Sequence, residues 1–235
     1  MVAAAGLWDA LTDLVLPASC AGCRADRTPL RAGACAACAA DLQALRAGPV
    51  RPTPAPPGLP DCVALGPYAG VLRESLLSYK ERGRHGLARP LGRLLAEVVA
   101  TAVGPDRPVL LVPVPSTARA ARARHGDHLG RLTRHAARRL RGAGWRVRVA
   151  RPVRALPRPD SAELTSAQRA RAAGAAFRLR SPSVRAVAAG RRVVVLDDIV
   201  TTGATLAAVT TLLAAAGVHV DAAAVLAATR KRDRR

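Results

Sequence analysis

One stretch narrows the folding options more than any other. An apolar run, Val193-Val194-Val195-Leu196, ends in two carboxylates, Asp197 and Asp198, and Ile199-Val200-Thr201-Thr202-Gly203-Ala204-Thr205-Leu206 follows. The run has the length of a buried strand. Leu206, Val209, Leu212 and Leu213 then line one helix face, and Gly217 supplies a stop. A strand, a short Thr/Gly turn and a helix in that order belong to a parallel α/β sheet, whose ligands sit at the carboxyl ends of strands. The turn leaves backbone N–H groups free at a helix N-terminus, which suits a phosphate. Gly203 permits close backbone approach, and Thr201, Thr202 and Thr205 add hydroxyl donors. Asp197 and Asp198 repel phosphate, so their place is beside it, as acceptors for sugar hydroxyls. The geometry by itself admits other phosphorylated ligands. It is neither a GxxxxGK[ST] loop, since the chain has no Gly-Lys pair, nor a GxGxxG turn.

The rest of the chain from Asp61 onward repeats this alternation. Cys62 to Tyr68 reads as a short strand. Leu91, Leu94, Leu95, Val98, Val99 and Ala102 recur at helical spacing, giving an amphipathic helix over Leu87–Val103. Val109 to Val114 is an apolar strand closed by Pro113 and Pro115. Leu129, Leu132, Ala136 and Leu140 mark a helix from about Asp127, Arg146–Val149 a short strand, and Val218–Val225 a final one. Apolar strands separated by helices imply a parallel sheet covered on both faces.

Residues 1–47 have a different character. Cys20-x2-Cys23 and Cys35-x2-Cys38 stand 11 residues apart. Two such knuckles let four thiolates close tetrahedrally on structural Zn²⁺, with a degenerate or redox site as the alternative. Few large apolar residues accompany them, so a bound metal would supply folding energy. Cys62 falls outside the pattern and reads as a buried thiol. The segment 48–60 carries a high density of proline, which favours an extended, semi-rigid spacer. The expected organisation is thus a four-Cys module at 1–47, a linker at 48–60 and an α/β domain at 61–235.

Charge bears on partners. Lys+Arg number 37 against 16 Asp+Glu, a formal net charge of +21. That balance suits phosphate-bearing partners, including nonspecific contact with DNA. Nearly all these residues are Arg, with Lys80 and Lys231 the exceptions, and a GC-rich coding bias would produce the same mixture of Arg, Ala, Gly and Pro. The apolar stretch Leu206–Ala228 is broken by Gly217, His219 and Asp221, so no membrane insertion is expected. The N-terminus lacks a basic region and carries Asp9 and Asp13, against a secretory signal. The expectation is a soluble, cytoplasmic chain.

The Leu196–Thr205 string resembles the signature of type I phosphoribosyltransferases. Together with the four cysteines, it makes the chain similar to the ComF family, in which a zinc module precedes a phosphoribosyltransferase-like domain. Tyr79-Lys80-Glu81-Arg82-Gly83-Arg84 resembles the family's Tyr-Lys-x-x-Gly motif. Val112-Pro113-Val114-Pro115-Ser116, followed by Arg122, Arg124, Asp127 and His128, resembles its Val-Pro-Val-Pro segment and the Arg-rich stretch after it. Ala162–Phe177, with Leu164 and Arg169, resembles the loop before the last strands. His125-Gly126 and Ala172 depart from the family's usual residues.

The resemblance implies a fold of type I phosphoribosyltransferase kind, a parallel sheet flanked by helices. It implies binding of phosphoribosyl pyrophosphate with Mg²⁺ and an association with DNA uptake and competence. Thr201, Thr202, Gly203, Ala204 and Thr205 would hold the 5′-phosphate and Asp197 and Asp198 the ribose. Lys80, Arg84 and Ser116 would face the pyrophosphate, and the loop around Arg169 would close over the site. A noncatalytic module binding phosphoribosyl pyrophosphate or single-stranded DNA is the alternative.

Overall fold

The computed structural model describes residues 19–117, 122, 126–156, 176–180 and 184–229. Arg124, Leu164, Arg169, Ala172 and the basic tail from Arg230 lie outside the described residues. The described strands are β1 (Gly48–Val50), β2 (Cys62–Pro67), β3 (Val109–Pro113), β4 (Val147–Val149), β5 (Val153–Ala155), β6 (Phe177–Leu179), β7 (Arg192–Val200) and β8 (Ala222–Ala228). The helices are α1 (Ala36–Ala44), α2 (Gly70–Glu81), α3 (Ala88–Val103), α4 (His128–Gly142), α5 (Val184–Ala188) and α6 (Ala204–Ala215), with a 3-10 turn at His85–Leu87.

Six strands form one sheet in the order β1-β2-β8-β7-β3-β4, parallel except for β1, which runs antiparallel along β2. A separate antiparallel pair joins β5 to β6. The central strands are apolar throughout because both faces are covered: Val109–Val112, Val194–Leu196 and Ala223–Leu226 are all fully buried. The chain steps from β3 to β4 in one direction across the sheet and from β7 to β8 in the other. With right-handed crossovers this puts α4 and α6 on opposite faces. Helix α3 makes the longer crossover from β2 to β3 and packs beside α4.

The α3–α4 contact is close because Gly92 has no side chain. A Cβ there would lie 2.5 Å from His135 Cβ and 2.9 Å from the Leu132 carbonyl. Gly92→Val is therefore expected to wedge the two helices apart, at a cost of about 1–3 kcal/mol. Urea denaturation of the variant checks this, with a lowered midpoint and an unchanged slope.

Three sequence expectations need adjustment. The sequence reading defines no helix between Tyr68 and Leu87, whereas α2 spans Gly70–Glu81, with Leu72, Leu76 and Tyr79 buried at i, i+4 and i+7. The last strand starts at Ala222 rather than Val218. Asp221 is used at that point to accept the Val193 N–H at 2.8 Å and to pair with Arg192 at 3.0 Å. The proline-rich segment does not run as a bare spacer: Gly48–Val50 pair with β2, and Leu59 is buried in the core. No helix among the described residues is long and apolar enough to cross a membrane.

Candidate functional site

The reversal of direction between β7 and β3 creates a crevice at their carboxyl ends, the place where open α/β sheets bind ligands. Pairing of β7 with β3 stops at Leu196↔Pro113. Beyond it, β7 continues beside β8 alone, with Asp197↔Val225 and Val200↔Ala228 in register. Asp197 and Asp198 thus emerge where the neighbouring strand has ended, which opens one flank of each to the crevice.

The turn after β7 leads directly into α6. Gly203 holds φ +75°, a left-handed conformation that favours glycine, and occupies the N-cap position with no side-chain cap on the helix. In the first turn the Ala207 N–H donates to the Gly203 carbonyl at 2.9 Å, and the Ala204 N–H makes only a weak 3.4 Å contact with Thr202 Oγ1. The orphan N–H groups of α6 therefore face a shallow polar concavity lined by Asp197 and residues 199–206. Close approach at Gly203 comes from within the chain. A Cβ there would sit 3.0 Å from Leu59 Cδ1 and 3.4 Å from Pro52 Cγ. The proline-rich segment thus packs under the turn and fixes its path.

The acidic pair is internally organised. The Asp198 N–H donates to Asp197 Oδ1 at 2.9 Å, and Lys80 Nζ meets Asp198 Oδ2 at 3.0 Å with both side chains mostly shielded from solvent. Burial pushes the Asp197 carboxyl up to about 7, and the neighbouring Asp198 charge adds to that rise; the Asp198 N–H and Lys80 pull the other way. The folded chain therefore holds a proton that an unfolded aspartate releases near pH 3.8. Stability conferred by that proton is present below the unfolded value and is lost as pH rises towards 7. Asp197→Asn is expected to flatten this decline. Above pH 7 the variant is expected to be the more stable of the two, because it has no proton to lose. Denaturation midpoints of both proteins at pH 5 and pH 8 give the comparison.

Of the residues expected at the pyrophosphate side, Lys80 joins the acidic pair. Arg84 is engaged elsewhere: it donates to the Ser19 carbonyl and, at 3.3 Å, to the Gly33 carbonyl, clamping the cysteine module. Ser116, just past β3, lines a second cavity of about 270 Å³. Asp127, Arg151, Arg154 and Arg180 also border that cavity. Asp127 caps α4 through the Gly130 N–H at 2.8 Å and pairs with Arg151. The three arginines come from β5, β6 and their flanks, which are separated by more than twenty residues, so no local pattern marks them as neighbours.

In the N-terminal module the Sγ atoms of Cys20, Cys23, Cys35 and Cys38 all lie within 4.8 Å of one another, and none is in a disulfide. Cys23 Sγ and Cys35 Sγ are 3.9 Å apart. Tetrahedral zinc thiolates at 2.3 Å bond lengths require about 3.8 Å between sulfurs, so the cluster can hold such an ion. Burial raises the Cys20 thiol, but N–H groups of Cys35, Cys23 and Gly22 outweigh it and bring the thiol down to about 6. The Cys35 N–H reaches Cys20 Sγ at 3.2 Å, a donor set that favours thiolate. Gly22 leaves room for this: a Cβ would fall 2.8 Å from Cys38 Sγ and from Val71 Cγ1. Cys62 is separate and buried, its thiol pushed up to about 11 mainly by burial and donating to the Pro60 carbonyl.

The module is bolted to α2. Ser78 Oγ donates to the Ala21 carbonyl at 3.1 Å, and Arg24 and Arg82 both pair with Glu74. Helix α2 therefore carries the module through Val71, Glu74 and Ser78 and delivers Lys80 to the acidic pair.

Sheet, crevice and uncapped helix together make a mostly parallel α/β domain with an open site at its strand ends. Residues 136–235 match the family model of the phosphoribosyl transferase domain, a span that takes in the second half of α4, β7, the turn and α6. No curated protein matches the chain.

Proposed function

We propose that the chain is a phosphoribosyltransferase of the ComF type that binds phosphoribosyl pyrophosphate with Mg²⁺. The observation that carries this reading is the juxtaposition at the end of β7: two strand-end carboxylates beside the uncapped N-terminus of α6. The 5′-phosphate would rest on the N–H groups and hydroxyls of Thr201–Thr205. Asp197 and Asp198 would accept from the ribose hydroxyls, with Lys80 balancing their charge. Lys80 and Ser116 are assigned to the pyrophosphate end, and the loop carrying Arg169 to closure. Mg²⁺ fits this donor set as a ligand of the substrate's own oxygens, where it neutralises pyrophosphate charge. The chain's task is positioning and charge stabilisation of an oxocarbenium-like state at ribose C1.

The four thiols would hold one structural Zn²⁺ and fasten α2. A role in DNA uptake, with nonspecific contact to DNA through the surplus of arginine, completes the reading, and such binding would weaken steeply with salt. The test of transfer is pyrophosphate release from phosphoribosyl pyrophosphate with Mg²⁺, screened against purine, pyrimidine and amine acceptors. Acceptor-dependent release that disappears in Asp198→Ala supports the reading. Tight substrate binding without release for any acceptor would favour a noncatalytic binding module.

A further inference from the structure

We infer that Ser78 and Arg84 are positioning residues that hold Lys80 against Asp198 by anchoring the end of α2 to the metal module; this rests on the phosphoribosyl and zinc readings. Zinc and phosphoribosyl pyrophosphate then strengthen each other's binding. Lys80 stands in the last turn of α2, with Nζ 3.0 Å from Asp198 Oδ2. Both of its flanks are tied to the module. Ser78, buried and just before it, donates through Oγ to the Ala21 carbonyl at 3.1 Å, and Arg82 Nη1 donates to the same Oγ at 3.1 Å. Arg84, just after the helix end, donates to the Ser19 and Gly33 carbonyls, and its own N–H returns to the Ser78 carbonyl at 3.2 Å.

The acceptors on the module side are placed by the thiol cluster. Ser19 and Ala21 flank Cys20, and Gly33 stands just before Ala34 and Cys35. The Gly33 carbonyl also accepts the Ala21 N–H at 2.9 Å, so one oxygen joins the two knuckles and Arg84. Metal at the thiols fixes Cys20 and Cys35, and with them these three carbonyls. Without it the knuckles relax, and the last turn of α2 loses the ties on both sides of Lys80. Tyr79 keeps the rest of the helix on the sheet, buried with its hydroxyl on the His128 carbonyl at 2.8 Å. The change is therefore local: Lys80 leaves Asp198, and the shielded acidic pair faces a polyanionic ligand without its cation. Ligand and metal thus favour the same arrangement of one helix turn. Linkage makes the effect reciprocal: the factor by which zinc raises ligand affinity is the factor by which the ligand raises zinc affinity.

Equilibrium competition for zinc between the full chain and a chromogenic chelator tests this, with and without saturating phosphoribosyl pyrophosphate and Mg²⁺. Calorimetric titration of the zinc-loaded chain with the same ligand runs beside it. The wild type, which depends on no variant folding, is expected to hold zinc about fivefold more tightly, or better, with the ligand bound. Ser78→Ala with Arg84→Met is expected to keep one zinc per chain, to bind the ligand about fivefold more weakly and to lose the ligand's effect on zinc. Arg84→Lys, set beside Arg84→Met, keeps a donor for the carbonyls and is expected to retain part of that effect. Lys80→Met is expected to hold zinc as wild type does without ligand, and to show no gain when saturated with it. Zinc affinity indifferent to ligand, in wild type that binds the ligand, overturns the inference and leaves the functional reading standing. A double variant with weaker zinc but unchanged ligand affinity also overturns it, by showing that the ties serve the module alone. A gain that persists in Lys80→Met overturns the route through Lys80. Wild type that binds no phosphoribosyl pyrophosphate removes the functional reading and this inference together, and wild type without zinc removes the metal reading in the same way.

Discussion

Cys38→Ser is expected to release the metal and melt residues 19–44 while the six-stranded sheet remains folded. Apart from Ala21 and Leu42, which pack into the main core, and a few polar ties to α2 and Arg84, the module has little other source of stability. Its buried cluster is Cys20, Ala34, Cys35 and Cys38, with Leu30 and Val71 packed alongside. Structural zinc in such modules contributes about 10 kcal/mol or more of binding free energy, far beyond what two aliphatic side chains supply. The sheet's core, by contrast, runs from β2 through β8 without touching the thiols. Metal analysis of wild type should give about one Zn²⁺ per chain, and of the variant none. Limited proteolysis should then cut the variant within 19–44 first. Melting of the module would also release the Ser78–Ala21 and Arg84–Gly33 contacts on and beside α2, so a secondary weakening at Lys80 is expected. A variant that keeps its metal, or resists proteolysis as wild type does, would show that the module is held by something other than a four-thiolate site.

How much of this was legible in the sequence follows from how local each signal is. The phosphate turn and the four cysteines are each contiguous or nearly so, and short-range chemistry specifies them: a buried strand, a Thr/Gly turn, paired knuckles. The helices α3, α4 and α6 were legible from apolar periodicity. Helix α2 carries the same periodicity in Leu72, Leu76 and Tyr79, but the motif-like Lys80–Arg84 run at its end masks it. What the sequence did not disclose is long-range. Arg84 reads as a ligand contact until the fold turns it toward carbonyls at Ser19 and Gly33. Gly203 reads as room for a ligand until Leu59 and Pro52 are found packed against it. The cavity rimmed by Arg151, Arg154 and Arg180 exists because β5 and β6 pair across a long intervening segment, and no spacing rule connects them.

The second large effect is expected at the acidic pair. Asp197→Ala or Asp198→Ala should each weaken phosphoribosyl pyrophosphate binding by about 1.5–3 kcal/mol, since each removes charge-assisted hydrogen bonds to ribose. That corresponds to roughly tenfold to a hundredfold in Kd. Asp198→Ala carries a further consequence, because Lys80 loses its partner at 3.0 Å and is left as a shielded, unpaired cation. Both positions lie half-buried at the carboxyl end of β7, past its pairing with β3, so the sheet should persist and circular dichroism should be unchanged. The two effects should not add, because the carboxylates share one ligand and the Asp198 N–H holds Asp197 in place.

The most direct measurement is calorimetric titration of the intact, zinc-loaded chain with phosphoribosyl pyrophosphate and Mg²⁺, set beside ribose 5-phosphate. Both share the phosphate and ribose that the turn and the acidic pair would hold, and they differ by the pyrophosphate. The expected result is one site per chain, tighter for phosphoribosyl pyrophosphate, weakened for both ligands in Asp198→Ala. No heat of binding for either ligand, or equal affinity in wild type and Asp198→Ala, would contradict the assignment of the β7–α6 turn as a phosphoribosyl site.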